Sequence, residues 1–156
     1  MKYIAVIVGL ILTGNAYSAN DSYQIFGVVL GGEAKEELIS MKSAASPQKY
    51  TPTSTDLVFD SYKLQTTNNR KVFYVDGRST IDKNNCLSAY YDYKKIILEK
   101  YGNISTPPKE RVKKNGSKLK MGKLMIVNKS GTQTLSLNVY CRKDSGSARL
   151  TAQLKR

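Results

Sequence analysis

The sequence predicts an α+β domain, mostly antiparallel sheet with two helices, the longer one packed on the sheet. Three observations carry that expectation. Apolar and polar residues alternate along the C-terminal third, which is the period of a half-buried strand. From Cys86 to Tyr101 the apolar positions recur at helical spacing instead. The two cysteines, Cys86 and Cys141, fall at the start of that helix and on one of those strands, so a single disulfide would join the two layers.

The elements follow in chain order. Lys2, the apolar run from Ile4 to Thr13 and the small residues of Ala16-Tyr17-Ser18-Ala19 read as a cleavable signal peptide over 1–19, with the cut after Ser18 or Ala19. The run is shorter than the roughly 20 residues that cross a bilayer, and no cysteine stands at the cut to take a lipid. The expectation is a soluble, exported chain, periplasmic or secreted, with residues 20–156 forming a single α+β domain. Tyr23 to Leu30 reads as a first strand and Gly31-Gly32 as a break. Glu33 to Met41 reads as a short helix, with acidic residues in its first turn and Leu38 and Met41 facing inward. Ser46-Pro47 ends that element, and Pro52 keeps the next stretch irregular or at a sheet edge.

Leu57 to Leu64 and Lys71 to Val75 read as strands, and Asp76 to Asn85 as a polar turn. In the second helix Leu87, Tyr90, Tyr91, Leu98 and Tyr101 form the inward stripe, with Leu87, Tyr91 and Leu98 on the sheet, and Gly102 caps the end. Leu124 to Val127 is a strand, Ser130-Gly131 a hairpin turn, and Leu135, Leu137, Val139 and Cys141 alternate along the next strand. Leu150, Ala152 and Leu154 alternate along the last. Because the alternation aims Cys141 inward, a helix beginning at Cys86 on that face would bring the two sulfurs together.

Charge is the strongest functional signal. The chain carries 25 basic and 12 acidic side chains, a net charge of +13, and such a surplus favours polyanions or membrane surfaces. It concentrates after Pro107-Pro108, where Lys109, Arg111, Lys113, Lys114, Lys118, Lys120 and Lys123 stand against the single acid Glu110. Asn115-Gly116 predicts a tight hairpin turn, with Val112 facing Leu119, Lys113 facing Lys118 and Arg111 facing Lys120. Arg111, Lys113, Lys118 and Lys120 would then share one side as the candidate binding residues. The candidate partners are an anionic envelope polymer, a membrane surface or an acidic protein, and nucleic acid satisfies the same charge.

Catalysis is poorly provided for. The chain has no histidine, which removes the usual general base and zinc ligand. No cofactor or metal motif is present, and Asp76 to Asn85 lacks the ligand pattern of a calcium loop. Ser46-Pro47-Gln48-Lys49 and Ser117-Lys118-Leu119-Lys120 match S-x-x-K, and Lys129-Ser130-Gly131 approximates K-T-G. Those motifs act only where the serine starts a helix, and neither serine is expected to do so.

Phe26-Gly27-Val28-Val29-Leu30-Gly31, a cysteine-started helix ending Lys100-Tyr101-Gly102 and a strand with the second cysteine make the chain similar to small bacterial periplasmic proteins with a signal peptide and one disulfide. The opening segment resembles the small lipoprotein domain of the outer-membrane β-barrel assembly machinery, without its lipid-bearing cysteine. The first resemblance implies a periplasmic location, and neither implies a functional residue. The expected function is a non-catalytic binding or adaptor protein whose basic hairpin meets an anionic partner. The alternative is a periplasmic inhibitor or immunity protein directed at an envelope-targeting toxin or hydrolase.

Overall fold

A computed structural model describes residues 21–35, 46–52 and 55–155. The signal segment at 1–19 and positions 36–41 of the first expected helix, Leu38 and Met41 among them, lie outside the described residues. A seven-stranded antiparallel sheet dominates the fold. Two short strands, β1 (Gln24–Ile25) and β2 (Val28–Val29), form a separate small hairpin. The large sheet comprises β3 (Gln48–Tyr50), β4 (Ser61–Thr66), β5 (Val72–Ile81), β6 (Lys109–Asn115), β7 (Lys118–Val127), β8 (Gln133–Cys141) and β9 (Gly146–Leu154). Its order is β3-β4-β5-β9-β8-β7-β6.

Helix α1 (Cys86–Tyr101) runs on into a 3₁₀ turn at Gly102–Ile104 and packs against β7, β8 and β9. Among the described residues it is the one α-helix. Glu33, expected to open another, forms an isolated β-bridge with Lys71.

Alternation divides the sheet into an inner and an outer face. Leu119, Leu124, Ile126, Leu135, Leu137, Val139, Ala148, Leu150 and Ala152 are buried beneath α1. The helix stripe is rotated from its expected position: Cys86, Tyr90, Ile97 and Tyr101 are buried, Leu98 is half-buried and Tyr91 is 42% exposed. The cause lies in the sheet. Gly122 leaves room for the Tyr90 ring, whose carbons occupy the space a Cβ would fill. The helix therefore seats on Tyr90 rather than Tyr91. Gly102 closes it in right-handed conformation, φ −58°, and not as a left-handed cap.

Cys86 and Cys141 are joined by a disulfide with Cα atoms 6.2 Å apart. Gly146, paired with Cys141 across β8 and β9, leaves space for the Cys86 sulfur.

The N-terminal segment fills the inner face beside α1. The expected strand from Tyr23 to Leu30 is instead folded back by Phe26 and Gly27, with φ of 51° and 77°. Positive φ at both central residues is the geometry of a tight I′ hairpin. It sets the Phe26 ring against Gly77 and edge-to-face on Phe59 and Tyr62, at 5.5 and 5.0 Å between centroids. Tyr23 anchors the other end, its N–H donating to Gln133 Oε1 at 2.7 Å and its ring lying 5.3 Å from that of Tyr101.

The strand expected to stop at Val75 runs on to Ile81, and the polar turn contracts to the residues just before α1. Leu57 lies outside β4, which starts at Ser61. The hairpin turn at Ser130-Gly131, which joins β7 to β8, and the two alternating strands that follow it, β8 and β9, match their expected places.

Candidate functional site

Among the described residues no helix covers the outer face of the large sheet, and that face is strongly basic. Register places Lys109, Arg111 and Lys113 of β6 on this face, opposite Met125, Lys123 and Met121 of β7. The next strands add Asn138 and Tyr140 from β8, Arg149 from β9, Arg78 from β5 and Lys63 from β4.

Glu110, the acid of the basic segment, is on the inner side. It accepts from Tyr90 Oη at 2.8 Å and from Lys94 Nζ at 2.6 Å. Burial pushes the Glu110 carboxyl up, but those two hydrogen bonds outweigh it and hold the group below its ordinary range. The sequence thus removes its one local anion from the face where the cations stand.

The four candidate residues divide into two groups. Asn115 pairs with Lys118, so the turn is Gly116-Ser117, with Gly116 at φ 57° in the first central position as in a II′ turn. Pairing then jumps from Leu119 opposite Lys114 to Met121 opposite Lys113. Lys120 is left as the extra residue of a β-bulge. The expected pairs Arg111–Lys120 and Lys113–Lys118 are therefore not formed.

Arg111 and Lys113 remain together on the outer face, joined by Lys109 and Lys123. Lys118 and Lys120 instead border a depression of about 380 Å³ that Lys83, Asn84, Arg142 and Lys143 also line, next to the start of α1. The bulge removes the Arg111–Lys120 and Lys113–Lys118 oppositions of the simple hairpin and leaves one pair of like charges face to face, Arg111 and Lys123.

Among the described residues the centre of the outer face has one anion, Asp76, with its side chain 1% exposed. Its oxygens accept from Arg78 Nε and from Arg149 Nε, each at 2.8 Å. Arg149 Nη2 also donates to Asp76 at 3.2 Å and to Tyr74 Oη at 2.6 Å. The hydrogen bond to Asp76 raises the Arg149 pKa above its ordinary value, against the opposing effect of burial. Two arginines on neighbouring strands are thus held in place over one neutralised carboxylate. Tyr140, 40% exposed, has the Lys123 ammonium 5.7 Å from its ring centroid.

Arg78, Arg149, Asn138 and Tyr140 escape the sequence reading because they come from segments with no local excess of charge. Lys109 and Lys123 lie within the basic run, and extending the alternation of Leu124 and Ile126 back along β7 would have placed Lys123 outward. The S-x-x-K serines start no helix: Ser46 precedes β3, and Ser117 is in the hairpin turn. Among the described residues no cluster of three or more histidine, cysteine, aspartate or glutamate side chains could hold a metal ion, and no helix is long and apolar enough to cross a membrane. No protein-family model, curated protein or solved structure matches the chain.

Proposed function

We propose that the chain is an exported, non-catalytic binding or adaptor protein that holds an anionic partner on its basic hairpin. The observation that carries this reading is the alignment of Lys109, Arg111 and Lys113 beside Lys123 on a face that none of the described helices covers, with Glu110 turned away into an ion pair. Clustered cations on a rigid strand pair attract an anion without first having to be ordered, which reduces the entropic cost of binding. The signal-like segment over 1–19 and the disulfide, a bond that persists in oxidising compartments, support export to the periplasm or the cell exterior.

The test compares three variants for salt-sensitive binding to dextran sulfate. Arg111→Gln/Lys113→Gln/Lys123→Gln removes the outer-face charges, Lys95→Gln/Lys100→Gln/Lys114→Gln removes as many from the helix side, and Lys118→Gln/Lys120→Gln addresses the hairpin tip. The first variant should lose most of the binding and the second little. Equal loss from the first two would show that only net charge matters, and dominance of the tip variant would move the site to the depression beside α1.

A further inference from the structure

We infer that the binding surface extends from the hairpin across the whole outer face, and that its ligand is an acidic polysaccharide lying across the strands. The inference rests on the binding role proposed above and adds the extent of the surface and the class of ligand. One register row carries it: Arg78, Arg149, Asn138, Lys123 and Arg111 stand side by side on β5, β9, β8, β7 and β6. At about 4.8 Å per strand the row spans about 19 Å. A single small anion would meet two of these cations at most, whereas an extended chain of anionic groups meets all four.

The chemistry between the charges selects the ligand. Asn138, Ser136 and Thr151 put an amide and two hydroxyls on this face, half-buried and between the cationic ends. Such groups both donate and accept, and they suit a ligand that is itself rich in hydroxyls. Single-stranded nucleic acid is read on aromatic stacking platforms. Here the exposed ring is Tyr140, with the Lys123 ammonium 5.7 Å from its centroid, while Tyr74 is half-buried with its hydroxyl engaged by Arg149. A membrane would be met by protruding apolar side chains, but Met121, Met125 and Val127 are half-buried between the strands' polar residues.

Asp76 is a positioning residue: buried and bonded to the Nε atoms of Arg78 and Arg149, it fixes both guanidinium groups, and with Arg149 Nη2 engaged by Asp76 and Tyr74 the donors that face the ligand are Arg149 Nη1 and the Arg78 Nη groups. At the Arg78 end the row closes on Asp60, which borders a depression of about 390 Å³ together with Arg78, Tyr140 and Arg149. That carboxylate marks where the polyanion ends.

The probes are oligogalacturonates of four and eight residues, titrated calorimetrically into the disulfide-bonded chain at two salt concentrations. The octamer should bind more tightly than the tetramer by more than the ratio of their charges. Asn138→Ala should weaken the octamer about five-fold, the loss of about one neutral hydrogen bond, with its salt dependence unchanged. Arg149→Gln and Lys123→Gln should each weaken the octamer and flatten its salt dependence. Lys123→Gln is the safeguard, because Lys123 takes no part in the Asp76 ion pairs and its loss leaves no buried charge exposed. Equal or tighter binding of a twelve-residue oligothymidylate, or of phosphatidylglycerol vesicles, would overturn the polysaccharide assignment while the hairpin reading stood. An unchanged octamer affinity in Arg149→Gln would confine the surface to the hairpin. Failure of every polyanion to bind would remove both readings together.

Discussion

Gly122→Ala tests the packing that fixes how the helix sits on the sheet. In a strand interior alanine is worth roughly 0.5–1 kcal/mol more than glycine, because glycine loses more backbone freedom on folding. Taken alone, the change should stabilise. At Gly122, however, the added Cβ falls on three carbons of the Tyr90 ring, all closer than real Cβ contacts allow. That ring is fully buried, and its hydroxyl is tied to Glu110 and to the Lys123 carbonyl, at 2.8 and 3.3 Å. It has no free direction in which to move.

Overpacking of this kind costs about 1–3 kcal/mol, which exceeds the backbone gain, so Gly122→Ala should destabilise by about 1–2 kcal/mol net. The assay is urea unfolding of the oxidised chain, repeated in a Tyr90→Ala background where the obstruction is gone. There the same substitution should be neutral or stabilising, which gives a coupling of about 1–3 kcal/mol between the two positions. A Gly122→Ala chain as stable as the parent, or the same effect in both backgrounds, would refute the placement of Tyr90 over that glycine.

Further perturbations address the covalent link, the helix face and the acid limb. Cys86→Ala/Cys141→Ala opens a loop closed over a separation of 55 residues and should cost up to about 4 kcal/mol in the chain-entropy account. Under denaturing alkylation the parent should show no titratable thiol, and two thiols in protein taken from its native compartment would contradict the pairing. Ile97→Ala should cost about 2–5 kcal/mol as a buried large-to-small change, while Tyr91→Ala should stay within about 0.5 kcal/mol; the reverse order in thermal or urea unfolding would restore the face expected from sequence. Glu110 has a folded pKa below its ordinary value, so its contribution is complete above the unfolded carboxylate pKa and is lost as pH falls through the folded one. Glu110→Gln should therefore be less stable than the parent near neutral pH, with the difference shrinking as acid protonates the parent. A constant difference down to pH 2 would argue against the ion pair.

The elements legible in the sequence are those whose signal is local. Leu135 to Cys141 and Leu150 to Leu154 alternate without interruption, and the helix after Asn85 repeats at its own period, so strands β8 and β9 and α1 stand where expected. Both cysteines were placed by the same periodicities. The failures are positions where a distant partner reverses a local preference. Asp76 reads as part of a turn, yet it lies mid-strand because Arg78 beside it and Arg149 on the next strand neutralise it.

Phe26 reads as strand but takes a left-handed conformation, its ring filling the space over Gly77. Within the hairpin, one bulged residue was enough to send Lys118 and Lys120 away from Arg111 and Lys113. Composition located the basic segment, whereas its membership depends on register across five strands, which no single stretch of sequence encodes.

The central claim, that the outer face is the binding surface, is met most directly by amide chemical-shift mapping of the oxidised chain during titration with oligogalacturonate octamer. The account predicts that the perturbed amides lie along β5–β9, around Arg78, Lys109, Arg111, Lys123, Asn138 and Arg149, with α1 unaffected. Shifts gathered instead around Lys83, Lys118, Lys120, Arg142 and Lys143, or spread evenly over all the lysines, would contradict it.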